Sequence, residues 1–118
     1  MPRLYFALDL KDDPALIAEY ERWHRPEQVW PEVITALSAA GVTELEIFRC
    51  GNRLVMVMDA PPSFAAADPG APAIGRAAQW EELMWRFQQS LPFAEPGQKW
   101  VPMQRIFSLT EAVREQGR

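Results

Sequence analysis

Apolar and polar side chains alternate over residues 3–10: Leu4, Phe6, Leu8 and Leu10 fall on one side, Tyr5, Ala7 and Asp9 on the other. That period predicts a half-buried strand. Asp12-Asp13-Pro14 then supplies cap chemistry and a proline suited to a first helical turn, predicting a helix from there to about His24. Leu16, Tyr20, Trp23 and His24 share one face of it, and Pro26 stops the pattern. Pro31 restarts helical structure, with Val33, Ile34 and Leu37 on its apolar side, until Gly41 ends it. Residues 43–49 and 53–59 suit strands, and Cys50-Gly51-Asn52 between them reads as a tight hairpin turn. Residues 60–75 are dense in proline, alanine and glycine and predict a surface loop. Gly70 and Gly75 make no phosphate-binding fingerprint there, since no strand leads into them and no glycine triplet is present. Trp80, Leu83, Met84, Phe87 and Leu91 then recur at helical spacing up to Pro92, and residues 100–108 predict a last strand constrained early by Pro102.

The order strand, helix, strand, strand, helix, strand is that of a ferredoxin-like α+β sandwich, a four-stranded antiparallel sheet with helices on one face. The 118 residues, 48% of them hydrophobic, fit one domain over 1–118. Tyr5, Phe48, Val55 and Val57 line the face that the helices leave uncovered, and so much apolar surface predicts a symmetric dimer.

A net charge of −4 and two lysines, Lys11 and Lys99, give no basic field for nucleic acid or an anionic membrane. One cysteine, Cys50, and one histidine, His24, provide neither an internal disulfide nor a zinc or iron–sulfur ligand set, and no metal is expected. Residues 4–10 are too short and too soon followed by charge to span a membrane or serve as a signal peptide, so a cytoplasmic protein is expected.

His24 is the only side chain whose unperturbed pKa lies near neutrality. It sits four residues after Tyr20, so the two polar tips can converge on one small ligand from one helix face. The same spacing also describes an amphipathic core stripe, as does the series Trp80, Met84 and Phe87. Trp85 falls off that stripe, which places it at an interface, under a loop or at a pocket rim. Glu81-Glu82, Glu19 and Glu21 read as solvated helix faces, and Glu44 and Glu46 as outward strand residues. Glu46 carries functional weight only if its carboxylate faces the helix that bears His24. Cys50 has no local histidine, and no serine has the context of a nucleophile elbow. Near the end of its helix, His24 would meet the negative end of the dipole, which favours imidazolium.

Tyr20-x-x-x-His24, Val29-Trp30-Pro31-Glu32, Glu46-Ile47-Phe48-Arg49, Trp80 and the closing Gln104-Arg105-Ile106-Phe107-Ser108-Leu109 together resemble the L-rhamnose mutarotase family. The resemblance spans nearly the whole chain. It implies a dimeric ferredoxin-like α/β-barrel type of assembly and interconversion of the α and β anomers of L-rhamnose or a related 6-deoxy-L-sugar, without cofactor. By this resemblance His24 is the catalytic acid, Tyr20 a substrate contact and Trp80 part of the sugar pocket. The chain departs from better-known members at Leu45, where they carry a tyrosine, and at Trp80-Glu81, where they carry two tryptophans; Trp85 could replace the second. L-fucose is therefore an alternative substrate. Fold alone also admits a cofactor-free monooxygenase or lyase and a non-catalytic sugar-binding module.

Overall fold

The computed structural model describes residues 3–61 and 75–117. Residues 62–74, the larger part of the expected loop including Gly70, lie outside the described residues. Strand β1 (Arg3–Leu10) is followed by helices α1 (Pro14–Trp23) and α2 (Pro31–Ala39), then by the hairpin of β2 (Glu44–Cys50) and β3 (Arg53–Asp59). Helix α3 (Gly75–Trp85), two short strands, β4 (Gln88–Gln89) and β5 (Val101–Pro102), and helix α4 (Leu109–Glu115) complete the order among the described residues. The sheet is antiparallel in the order β2-β3-β1, with both β4 and β5 on the far edge of β1. Counting β4 and β5 as two halves of one strand position gives the ferredoxin-like arrangement.

Local chemistry accounts for the element ends. The Asp13 carboxylate accepts hydrogen bonds from the Ala15 and Leu16 amides at 2.9 and 3.2 Å, and Pro14 occupies the first turn of α1. Past the end of α2, Gly41 has φ +89° and a Cβ there would come within 2.8 Å of Pro61, so both backbone and neighbour demand glycine. Gly51, at φ +61°, serves the two-residue turn that brings Cys50 opposite Arg53. Asn52 ties this turn to the end of β1: its side-chain amide donates to the Leu10 carbonyl at 3.0 Å, and its own carbonyl accepts from the Leu10 amide at 2.7 Å.

Phe6, Leu8 and Leu10 from β1 and Leu54, Met56 and Met58 from β3 are buried against Tyr20, Trp80, Met84, Phe87 and Trp100. The opposite parity leaves Tyr5 45% and Phe48 54% exposed, with Val55 and Val57 half-buried beside them. That is the open apolar face expected from alternation.

Two expectations need correction. The helix expected to reach Leu91 ends at Trp85; Phe87 and Leu91 are buried all the same, because the chain turns so that Gln88 pairs with Leu10 on the free edge of β1. The strand expected over residues 100–108 shrinks to Val101–Pro102: Pro102 has no N–H to donate, and after the Met103 amide donates to the Tyr5 carbonyl at 2.8 Å the ladder on that edge of β1 ends. Beyond it Ile106 is 92% exposed, and helix α4 follows, an element outside the predicted set. A sequence signal for α4 exists in Ser108-x-x-Glu111, with the Ser108 hydroxyl accepting from the Glu111 amide at 3.3 Å.

Candidate active site

Between the helices and the sheet lies a cavity of about 480 Å³, within the roughly 300–1,000 Å³ of small-molecule sites. Its apolar walls include Val29, Val33, Leu37, Leu45, Ile47, Met56, Met58, Met84 and Trp100. Tyr20, His24, Glu81 and Gln88 supply polar groups, with Ser38, Thr43 and Glu44 also on the lining.

α1 delivers two of these groups from successive turns. The Tyr20 and His24 rings lie 4.2 Å apart, and Trp80 of α3 meets the imidazole edge-on at 5.5 Å. Trp23 and Trp30 flank Trp80 at 6.2 and 5.3 Å, and the Arg76 guanidinium covers the Trp30 ring at 3.8 Å. This aromatic cluster holds the imidazole in a low-polarity setting.

His24 is the C-cap residue of α1. Its Nδ1 lies 2.8 Å from the Tyr20 carbonyl oxygen, and a carbonyl only accepts, so Nδ1 carries hydrogen. In the neutral ring, Nε2 is then the nitrogen with a lone pair. Burial lowers the His24 pKa from its ordinary value, and the hydrogen bond to the Tyr20 carbonyl opposes that shift only in part. The expected preference for imidazolium at the helix end is thus corrected: burial favours the neutral ring, and the hydrogen bond to the helix-end carbonyl of Tyr20 does not offset it. The Tyr20 phenol is pushed well above its usual range by burial, the Gln88 side chain pulling the other way and the Glu81 charge adding to the rise. Tyr20 is therefore a neutral hydrogen-bonding group.

The structure brings Tyr20, His24 and Trp80 onto one cavity. Glu46 is not there. It pairs with Val57 in the register that puts Leu45 and Ile47 on the cavity side, so its exposed carboxylate belongs to the open face of the sheet. Trp85 is also absent from the lining; its ring lies 4.8 Å from the Lys99 ammonium.

Lys99 and Glu81 escaped the reading of the sequence. Lys99 is fully buried, donating to the Glu81 carboxylate at 2.6 Å and to the Glu81 carbonyl at 3.1 Å. Glu81 therefore corrects the solvated-face expectation: it lines the cavity while neutralising a buried cation. One of only two lysines set directly before Trp100-Val101 was the available signal. Gln88, likewise missed, enters the site because β4 pairs with the end of β1.

Comparison with known proteins agrees with this architecture. The L-rhamnose mutarotase family matches residues 3–109. An L-fucose mutarotase of Xanthomonas campestris pv. campestris is 56% identical over 98% of this chain and 94% of its own. An L-rhamnose mutarotase of Acidiphilium cryptum is 32% identical, over 92% of this chain and 99% of its own. The crystal structure of an L-rhamnose mutarotase from Formosa agariphila shares the fold, with a TM-score of 0.64 at 22% identity over 92% of this chain and 99% of that one. With the family match covering β1 through the start of α4, this chain belongs to the L-rhamnose mutarotase family.

Proposed function

We propose that this protein is a mutarotase of 6-deoxy-L-hexoses, catalysing ring opening and reclosure at the anomeric carbon with His24 as the proton-transfer group. The observation that carries the reading is the placement of the chain's one imidazole, with Nδ1 held by the Tyr20 carbonyl, on a largely apolar cavity beside the Tyr20 and Trp80 rings.

The lowered pKa makes the neutral imidazole the resting form near pH 7. Nε2 takes the proton from the C1 hydroxyl; the O–H electron pair becomes the C1 carbonyl bond while the C1–O5 bond breaks towards O5. The imidazolium returns that proton to O5. Rotation about C1–C2 presents the other face of the aldehyde, and the reverse steps close the second anomer. Both oxygens are attached to C1, so one positioned group can serve both transfers, and such acid–base catalysis contributes typically 10² to 10⁴-fold. The Tyr20 hydroxyl holds the sugar, and the Trp80 ring meets its apolar side.

L-Fucose is the first substrate to test, given the 56% identity to a protein named for it, and L-rhamnose the second. The test is NMR saturation transfer between the anomeric protons of each sugar. Faster exchange with protein is the expected result. Binding without faster exchange would leave a sugar-binding module, and sugar-independent oxygen uptake would indicate a monooxygenase.

The working form is a cytoplasmic dimer, paired through Tyr5, Phe48, Val55 and Val57, because water contact of that apolar face is unfavourable. The exposed thiol of Cys50 suits a reducing compartment, and no helix among the described residues is long and apolar enough to cross a membrane.

A further inference from the structure

Among the described residues, the buried side-chain atom without a hydrogen-bond partner is Oε1 of Gln88. Gln88 is 4% exposed and lines the same cavity as Tyr20, His24 and Glu81. Its backbone is fixed by pairing with Leu10, so the side chain is delivered to this position by the sheet. Native proteins seldom bury an acceptor unsatisfied, because its lost hydration is not repaid, and an exception inside a cavity points to a donor that arrives with a ligand.

The two ends of the amide differ. The Gln88 side chain opposes the rise that burial gives the Tyr20 pKa, which is the sense in which an amide N–H, and not the amide oxygen, acts on a phenol. Oε1 is the end left without a partner. The neutral phenol of Tyr20 on the same lining has a proton to donate.

We infer that Gln88 is a substrate-binding residue whose Oε1 accepts a hydrogen bond from a ring hydroxyl of a neutral sugar. The inference rests on the mutarotase reading and narrows its substrate class. Among the described residues no lysine or arginine lines the cavity. The nearby Lys99 ammonium is already held by Glu81. An acceptor amide in a cavity without a lining cation suits hydroxyl donors and offers an anion no partner, so the site takes the free aldose in preference to its phosphate ester or sugar acid.

Gln88→Met keeps the length of the side chain and removes both polar atoms. Anomer exchange and binding of L-fucose and L-rhamnose should be measured on parent and variant, together with thermal unfolding. The expected result is a KM raised about tenfold, as for one lost hydrogen bond in a water-excluded site, with kcat changed less than about twofold and Tm unchanged or higher. A purely structural glutamine would lower Tm and leave KM alone, and that pattern overturns the inference. Monodeoxy analogues lacking the 2-, 3- or 4-hydroxyl locate the contact: one of them should bind the parent more weakly than L-fucose yet bind Gln88→Met equally. L-Fucose 1-phosphate should bind the parent more weakly than L-fucose, and tighter binding overturns the class assignment. A parent that binds L-fucose without exchanging its anomers ends the mutarotase reading, while the analogue series still decides Gln88. A parent that binds neither sugar overturns both.

Discussion

Replacing Glu81 by glutamine isolates the buried ion pair that joins α3 to the segment before β5. The two partners are unequally placed: the Lys99 side chain is 0% exposed, that of Glu81 28%. Removing the carboxylate charge leaves an ammonium sealed from water, its remaining stabilisers being the Glu81 carbonyl at 3.1 Å and the Trp85 ring at 4.8 Å. Breaking a buried pair in this way costs about 3–5 kcal/mol. The glutamine oxygen still accepts a hydrogen bond, so Glu81→Gln is placed at about 3 kcal/mol, the low end of that range. Lys99→Met fills the same volume and leaves a carboxylate that reaches solvent, for about 1–2 kcal/mol. The double variant has no uncompensated charge and should lose about 1 kcal/mol or less. At roughly 2.1 cal/mol/K per residue over 118 residues, each kcal/mol moves Tm by about 4 °C, so Glu81→Gln should melt about 12 °C below the parent. Urea unfolding of all four proteins, followed by circular dichroism, gives the cycle. Two single losses that add to within about 0.5 kcal/mol in the double variant would refute the buried-pair reasoning.

Burial holds the His24 pKa below its ordinary value, so anomer exchange should be flat above about pH 6.5 and fall on acidification through the lowered pKa. Stability follows the same sign: below about pH 6.5 the unfolded histidine takes up a proton that the folded one resists, so stability drops as pH falls, and His24→Asn should abolish this acid-side slope in pH-dependent unfolding. Tyr20→Phe keeps the ring and deletes the hydroxyl; KM should rise about five- to tenfold with little change in Tm, and unchanged kinetics at subsaturating sugar would return Tyr20 to the core. Val57→Glu places a charge on the open sheet face and should shift a dimeric parent towards monomer in light scattering at low micromolar concentration. A parent that is already monomeric rules this assembly out.

The parts of the fold legible in the chain are those with a long period. β1 and β3 alternate over full strand lengths, and the two-residue turn at Gly51-Asn52 carries its own chemistry. β4 and β5 are two residues each, too short for any period, and Phe87 and Leu91 mimic helical spacing although only their burial is shared with a helix. In the site, the i, i+4 relation of Tyr20 and His24 was readable because it is local. The Glu81–Lys99 pair spans 18 residues and depends on how the segment after α3 returns to the sheet, which no local pattern encodes. The placement of Glu46 turned on parity: once Leu45 and Ile47 face the cavity, pleating sends Glu46 the other way. The charge preference of His24 depends on burial, which becomes visible only when Tyr20 and Trp80 are seen around the ring.

Anomeric saturation transfer on L-fucose, with parent and His24→Ala compared at equal concentration and equal circular dichroism, tests the central claim most directly. The account expects the parent to accelerate exchange and the variant to lose about 10² to 10⁴-fold of that acceleration, the contribution of one positioned acid–base group. A folded His24→Ala protein that exchanges anomers as fast as the parent would contradict it.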